Sequence, residues 1–570
     1  TKTTGHQRCP SPMSKERATI LNNLSKPALI GIMLTALVGV FLVQGKLNTE
    51  RGKLSPTHLE PLQDAPPMLA LVTQSIGGFR GIISSYLWLR SNEMQQTKNY
   101  PEQMQLAKWI TQLQPQVPAA WVNRSWNMAY NISKNYSQPE ARWKYVHDAV
   151  KMLRDEGIKY NPQEPLVYDQ LAYLFEHKIG HNMDDHHRYY KFKWMEAMQG
   201  VLWESPLAGH LAKGAPDFES LINPDNNNKE LMERVRRLRQ EYGLDPREML
   251  AVHKKYGLAL DHKGELIKDK ADKPIDCLDW RMPETHSLYW ANLGLKRCSL
   301  TPGREKQFHR LEKKVYIAMM YTFQRGRLNV PSGYMGKMDK RLNYHFSKSM
   351  SPLSVYSSGF LSSPNLDSAG SVHKAYMDMI KLAQESRTVH YTGGTSELGH
   401  IHFLRRLMEW FYFYNREAEA MEWLKMTIKL YPEKMMWFPG YNRETDTYSL
   451  DDIVFDKLED DMQRGSDSKT QALLFGVFTK HFFYLADGDE ERAENYLNMA
   501  KQVHHNYTQK FKNEPDRMSI LPFEVYKISR LRGFLLEENS VVTGALRTRY
   551  GLGKDELPEM PQVEGPRPQP

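Results

Sequence analysis

Cysteine is scarce in this chain: Cys9, Cys277 and Cys298 are all there is in 570 residues, and no Cys-x-x-Cys spacing occurs. That excludes a disulfide framework as the basis of the fold and gives thiolate metal sites and thiol redox chemistry no support. Cys277 and Cys298 flank the segment from Trp280 to Leu295 and can pair in an oxidising compartment, but spacing does not fix their geometry. Charge of one sign is lacking too. The formal charge is +9, yet basic and acidic residues alternate along the chain. The densest cluster, Arg234, Arg236, Arg237 and Arg239, is threaded with Leu231, Val235 and Leu238 at helical spacing. It reads as the solvated face of an amphipathic helix, and no nucleic-acid partner is expected. A phosphate-binding loop is missing as well. Thr392-Gly393-Gly394-Thr395-Ser396-Glu397 has neither its lysine nor its glycine spacing, and an N-cap at Thr395 or Ser396 accounts for it.

Long apolar runs are absent with one exception. Ala28 to Val43 carries no charge and is flanked by Lys15, Arg17 and Lys26 before it and Lys46, Arg51 and Lys53 after it. The pattern predicts a transmembrane helix over 27–47, slightly short of the roughly 20 apolar residues a span needs unless Lys26 and Lys46 snorkel. A cleaved signal peptide is the competing reading, because Val43 and Gly45 imitate the small residues of a cleavage site. The first twelve residues are unlike a natural start, with Met13 the expected initiator. A short basic segment, 1–26, predicts the N-terminus in the cytoplasm and the body outside it. In a bacterium this means the inner membrane, with the body in the periplasm.

What is abundant is material for a core: 41% apolar residues, 25% charged, and many Trp, Tyr and Met. A Pro-containing spacer covers 48–76. Apolar periodicity then predicts an antiparallel helical hairpin from Gly77 to Leu113, turning at Asn99 and Tyr100. Pro115, Pro118 and Trp121 recur 47 residues later as Pro162, Pro165 and Tyr168. Each set ends one helix and opens the next, the mark of stacked helix pairs. The organisation read from the chain is a helical block at 77–203, an irregular insertion at 204–279 with short helices ending at Gly243 and Gly257, a helical pair at 280–330, a long loop and helix at 331–395, a second block at 396–548, and a disordered Pro-rich tail at 549–570.

Trp290, Leu293 and Gly294 fit the first helix of a tetratricopeptide repeat. Ala420, Leu424, Thr427 and Pro432 fit its second helix, as do Ala493, Leu497 and Ala500 after the turn Asp487-Gly488-Asp489. In these parts, about half of it, the chain resembles the tetratricopeptide repeat family. Gly77-Gly78-Phe79-Arg80, Tyr86 to Arg90, Trp121 to Asn127, and Asp279 to His286 with Tyr289 and Trp290 make the whole chain similar to an uncharacterised family of bacterial membrane-anchored proteins with degenerate repeats of this kind. The resemblance implies an all-α fold, a transmembrane helix followed by an α-solenoid, and implies no activity.

Two histidines four apart, His177 and His181, can share a metal on one helical face, with Asp185 or His187 as a third ligand. Gly180 and the Asn182 to Asp185 cluster instead suggest a helix stop and a cap. His286 beside Glu284 has the elements of acid-base chemistry, although hydrogen bonding and packing explain it in a helix-opening turn. Arg80, Trp88, Arg90, Trp121, Arg124, Trp126 and Asn127 are the candidates for a groove that grips an acidic peptide or a glycan, the competing role for the arginines being ion pairs between helices. The expectation is a non-catalytic scaffold with no cofactor, binding envelope proteins or peptides and held to the lipid bilayer through 27–47. The alternatives are a metal-dependent or acid-base enzyme centred on His177, His181, Asp185 and His187, and a small-molecule or glycan binding protein.

Overall fold

The computed structural model describes residues 80–181, 183–203, 214–328, 362–385, 393–435, 440–442, 444–445, 447–464, 466–512, 520–536 and 541–561, together with 28, 31–39, 41–43 and 46. The basic segment 1–26, the spacer 48–76, and residues 331–361 and 386–392 of the long loop and helix expected at 331–395 lie outside these residues. The chain divides into two compact units, Thr1–Ala120 and Trp121–Pro570.

In the first unit the described residues between 28 and 46 are helical, and Ile32, Met33, Leu34, Val38, Phe41, Leu42 and Val43 are each more than half exposed. No helix among the described residues is long and apolar enough to cross a membrane. The expected hairpin is formed by α1 (Arg80–Gln96) and α2 (Tyr100–Leu113). The turn between them needs a left-handed residue, supplied by Lys98 at φ 57°. Leu87 and Met94 of α1 pack on Leu106, Ile110 and Leu113 of α2, which is burial at the 3.6-residue period.

The second unit opens within α3 (Pro118–Trp126), which runs on as a π-helical turn over Asn127–Ile132. The same device recurs twice. α4 (Pro139–Met152) is followed by the π-turn Leu153–Gly157, and α5 (Pro165–Tyr173) by the π-turn Leu174–Ile179. Proline stands in the first turn of each of these helices, where its missing N–H leaves no bond unmade. Next come α6 (His187–Leu202), α7 (Phe218–Ile222), α8 (Lys229–Gln240) and α9 (Pro246–Tyr256). Asp217, Asn228 and Asp245 cap the last three through their side-chain oxygens. The two short helices expected in this stretch are α8 and α9, followed by Gly243 in the left-handed region at φ +64° and by Gly257.

Helices α10 (Pro283–Arg297) and α11 (Glu305–Arg325) pair with each other, and both pack on α5. The approach of α10 to α5 requires Gly294, where a Cβ would sit 2.6 Å from Tyr168 Cβ. A two-residue ribbon of β1 (Arg327–Leu328) and β2 (Ser362–Ser363), antiparallel with Arg327 opposite Ser363, precedes α12 (Ala369–Glu385). The pair α13 (Gly393–Phe413) and α14 (Glu417–Leu430) follows, then α15 (Pro432–Met435) and a second ribbon, β3 (Tyr441–Asn442) with β4 (Thr447–Tyr448). The chain ends in α16 (Leu450–Arg464), α17 (Asp467–Asp487), α18 (Glu490–Lys510), α19 (Phe523–Leu536) and α20 (Val541–Tyr550).

Most of the repeat-like positions are core positions: Trp290, Leu293, Ala420, Leu424, Thr427, Ala493 and Ala500 are buried, whereas Leu497 is partly exposed and Pro432 exposed. Three expectations change in detail. Helix α13 starts at Gly393, so Thr395 and Ser396 lie inside its first turn and neither is its cap. Cys277 and Cys298 are both free and buried, so no bridge joins them. The Pro-rich tail is tied down as far as it is described: Arg532 donates to Pro558 O at 2.6 Å and Arg547 to Glu556 O at 3.0 Å.

Candidate functional site

The π-turns at 127–132 and 174–179 bring aromatic side chains into line. An α-helix carries residues four apart about 40° past one another, whereas the wider π-turn falls short of a full turn at the same spacing. Mixing the two holds Trp126 and Tyr130 on one side of α3 and its extension, and Tyr173, His177 and His181 on one side of α5 and its extension. Trp126 stacks on Tyr130 with ring centroids 4.3 Å apart and on Tyr173 at 6.0 Å. Tyr173 stacks on His177 at 4.7 Å, His177 on His181 at 5.6 Å, and His181 meets the edge of Tyr321 from α11 at 6.2 Å. The Tyr130 hydroxyl hydrogen-bonds His177 Nδ1 at 2.9 Å. All six rings are at least partly exposed, Trp126 most at 40%. They form one continuous strip across three helices that are distant in sequence.

Beneath the strip lies a layer of buried ion pairs. Lys314 donates to Glu176 at 3.0 Å and its ammonium lies 4.6 Å from the centre of the Tyr173 ring. Arg325 pairs with the fully buried Glu284, donates to the Glu176 carbonyl at 3.0 Å and stacks 4.3 Å from the centre of the Tyr321 ring. Gly180 is required here: a Cβ would come within 2.8 Å of Glu284 Oε1. Asp184 accepts from Lys178 at 2.5 Å, Arg142 at 3.3 Å, Tyr190 at 3.1 Å and the backbone N–H of His186 at 3.0 Å. Burial works against the charge of this carboxylate, but Lys178 and the other donors outweigh it and hold it below its ordinary range. Glu176 has the reverse outcome, burial raising it against the pull of Lys314.

Burial, reinforced by the cations Lys314 and Arg325, lowers His177 to about 4, and burial with Arg325 and Lys191 lowers His181 to about 3. Both are neutral at pH 7, and burial raises Tyr130 and Tyr173. The strip is therefore uncharged on its face and charged behind it. Lys191, fully enclosed, is brought down to about 7 by burial and by Arg325, and it donates to His187 Nδ1 at 3.2 Å.

The sequence-derived candidates distribute unevenly over this arrangement. Trp126 belongs to the strip, and Asn127 lies behind it in a chain of amides running from Asn123 to Asn131. Trp121 is buried and stacked on Tyr160, and Arg124 is partly buried, with its guanidinium lowered by burial. In the first unit Arg80 opens α1, Trp88 packs on the hairpin core, and Arg90 pairs with Glu93 and Glu102. Arg90 thus holds the inter-helix ion pair that was the competing reading. His177 and His181 share a face, but His187 turns to Lys191 and Asp185 lies beside Arg142. Among the described residues no three His, Cys, Asp or Glu converge as metal ligands. No side chain caps α6, whose N-cap position is His186; Asp184 instead closes the turn ahead of it by accepting from the backbone N–H of His186. His286 is fully buried with Nε2 on the Trp280 carbonyl at 2.8 Å, a packing role.

Tyr130, Tyr173 and Tyr321 were missed by sequence reasoning. The spacing of Trp126 with Tyr130, and of Tyr173, His177 and His181, was a usable signal within each helix, but nothing in the sequence places Tyr321 beside His181. No protein-family model, no curated protein and no solved structure matches this chain.

Proposed function

We propose that this protein is a membrane-tethered helical-repeat scaffold that grips an envelope protein or peptide along the aromatic–histidine strip and performs no catalysis. The observation that carries this reading is the strip itself: six rings in contact, neutral at pH 7, over charges that are paired with one another. Such a face supplies rigid area for stacking at low entropic cost. The pairing of consecutive helices, α1 with α2, α10 with α11, α13 with α14 and α17 with α18, fits a degenerate tetratricopeptide-like array. The exposed apolar side chains between 32 and 43 fit a lipid partner, with the body on the far side of the inner membrane.

The test is cross-linked affinity purification of the tagged full-length protein from solubilised membranes, with Trp126→Ala in parallel. Near-stoichiometric envelope partners are expected with the wild type, and at least tenfold less of them with the variant, the effect of losing a central aromatic anchor. Recovery of the protein alone, or equal recovery by both, would sink the reading. An acid-base enzyme is the second reading, favoured by the raised Glu176 and the lowered Lys191, both of which feel the charge of Arg325. A turnover that disappears in Lys191→Met while partner recovery persists would select it.

A further inference from the structure

A second site is built elsewhere in the Trp121–Pro570 unit, where the irregular stretch 258–276 meets α12 and α14. This stretch is a double turn with an eight-residue period. Asp261 Oδ1 accepts from the N–H groups of Lys263 and Glu265, both at 2.8 Å, and Asp269 Oδ1 accepts in the same way from Ala271 at 2.8 Å and Lys273 at 2.9 Å. Ala259, Ile267 and Ile275, spaced by eight, close a ring of backbone bonds: Ala259 N–H to Ile275 O at 2.8 Å, Ile275 N–H to Ile267 O at 3.0 Å, and Ile267 N–H to Ala259 O at 3.0 Å. The double turn is fastened to α12 by Ser371 Oγ on Leu258 O at 2.6 Å. It also lies so close to Gly370 that a Cβ there would meet Leu260 O at 2.1 Å.

Between the double turn and the helices is a cleft of about 250 Å³ with walls of Leu260, Ile267, Leu366, Ala369, Phe411 and Trp423. Rigid backbone bonding on one side and helix packing on the other keep it preformed, which is how small-molecule sites are built. Its mouth is acidic. Asp261, Glu419 and Glu422 reach it against one permanent cation, Arg416, which bonds Glu419 through two contacts of 2.6 Å and is shared with Asp367 at 3.1 Å. Lys425 bonds Glu422 at 2.7 Å. Counting Asp367, Lys425 and Lys263, whose charge also reaches Glu422, carboxylates still exceed permanent cations by one. His262 stands over the opening, its ring 6.2 Å from that of Trp423.

We propose that this cleft binds a small organic cation, an ammonium group carried on an aromatic or branched apolar body. The body lies against Trp423, Phe411 and Leu366, and the ammonium sits at the mouth among Glu422, Glu419 and Asp261. Aromatic walls and a carboxylate excess are the two features that select a cation of this shape over a neutral or anionic one. The site is independent of the strip and of the scaffold reading.

The experiment is isothermal titration of the full chain with phenethylammonium, 2-phenylethanol and 3-phenylpropionate. Saturable binding of phenethylammonium is expected, at least tenfold tighter than that of the alcohol, with no binding of the carboxylate. Glu422→Gln, a surface change, should weaken the ammonium about threefold to tenfold. Ala418→Trp, at the exposed rim of the cleft, should abolish binding while the melting temperature stays unchanged. Absence of saturable ammonium binding, equal affinity for all three probes, or affinity unchanged in Glu422→Gln would overturn the proposal. Retained binding in a folded Ala418→Trp would do the same.

Discussion

Burial acts on the histidines in one direction. His177, His286 and His373 are lowered to about 4 and His181 to about 3, with His187 and His400 well below their ordinary value, burial being the first cause in each. A histidine whose folded value lies below its unfolded one takes up its proton only on unfolding. Its contribution to stability is therefore complete above about pH 6.5 and is lost as pH falls toward 4, at about 1.4 kcal/mol per proton per pH unit for a fully enclosed ring such as His286. The partly exposed His177 contributes less because solvent screens it. Glu164, Asp169 and Glu176, raised by burial, lean the other way but are fewer. The melting temperature should thus fall steadily from pH 6.5 to 4.5. A flat profile would mean that these rings are not enclosed as described. The candidate groove shows what a residue-level reading of sequence can reach. Trp126 was identifiable as a helix-face aromatic near a proline-opened turn, but Trp121 carries the same local signature and is buried, with Tyr160 from later in the chain stacked on it.

At the scale of elements, punctuation did most of the work. Prolines at 118, 139 and 165 stand in first helical turns, and Asp487-Gly488-Asp489 is a turn in which Gly488 takes φ +84° and the Asp489 side chain caps α18. Two glycines separate conformation from space. Gly488 has nothing within 4 Å of a built Cβ, so Gly488→Ala meets only the left-handed penalty and should cost about 1 kcal/mol. Gly200, inside α6 and equally unobstructed, should gain about 0.5–1 kcal/mol as alanine. Urea unfolding of both variants checks the opposite signs, and a shared sign would refute the turn geometry. The π-turns were not legible. Nothing local distinguishes Leu174 to Ile179 from an α-helix, and the turn ends at Gly180, whose close approach to Glu284 is a tertiary contact. The double turn at 258–276 had a signal, aspartates eight apart each followed by a short polar stretch, that a charged-loop reading passes over.

For the whole molecule, the tether proposal makes a prediction of its own. Deleting 28–46 should move the protein from the alkali-resistant membrane pellet to the soluble fraction without changing the melting of the body. A deletion variant that stays in the pellet would show that something other than this run holds it there. Composition and periodicity determined by themselves that the chain is mostly helical, that proline and glycine punctuate several of its helices, and that no disulfide framework underlies it, since each follows from local conformational preference, apolar spacing and the scarcity of cysteine. Tertiary structure decided which aromatics remain at the surface, which charges are enclosed as pairs, and where a cleft opens. The strip joins residues 126, 177 and 321, and the cleft joins residues 260, 366 and 423. Such assemblies depend on long-range packing, whose partners leave no mark on the local pattern of a single sequence.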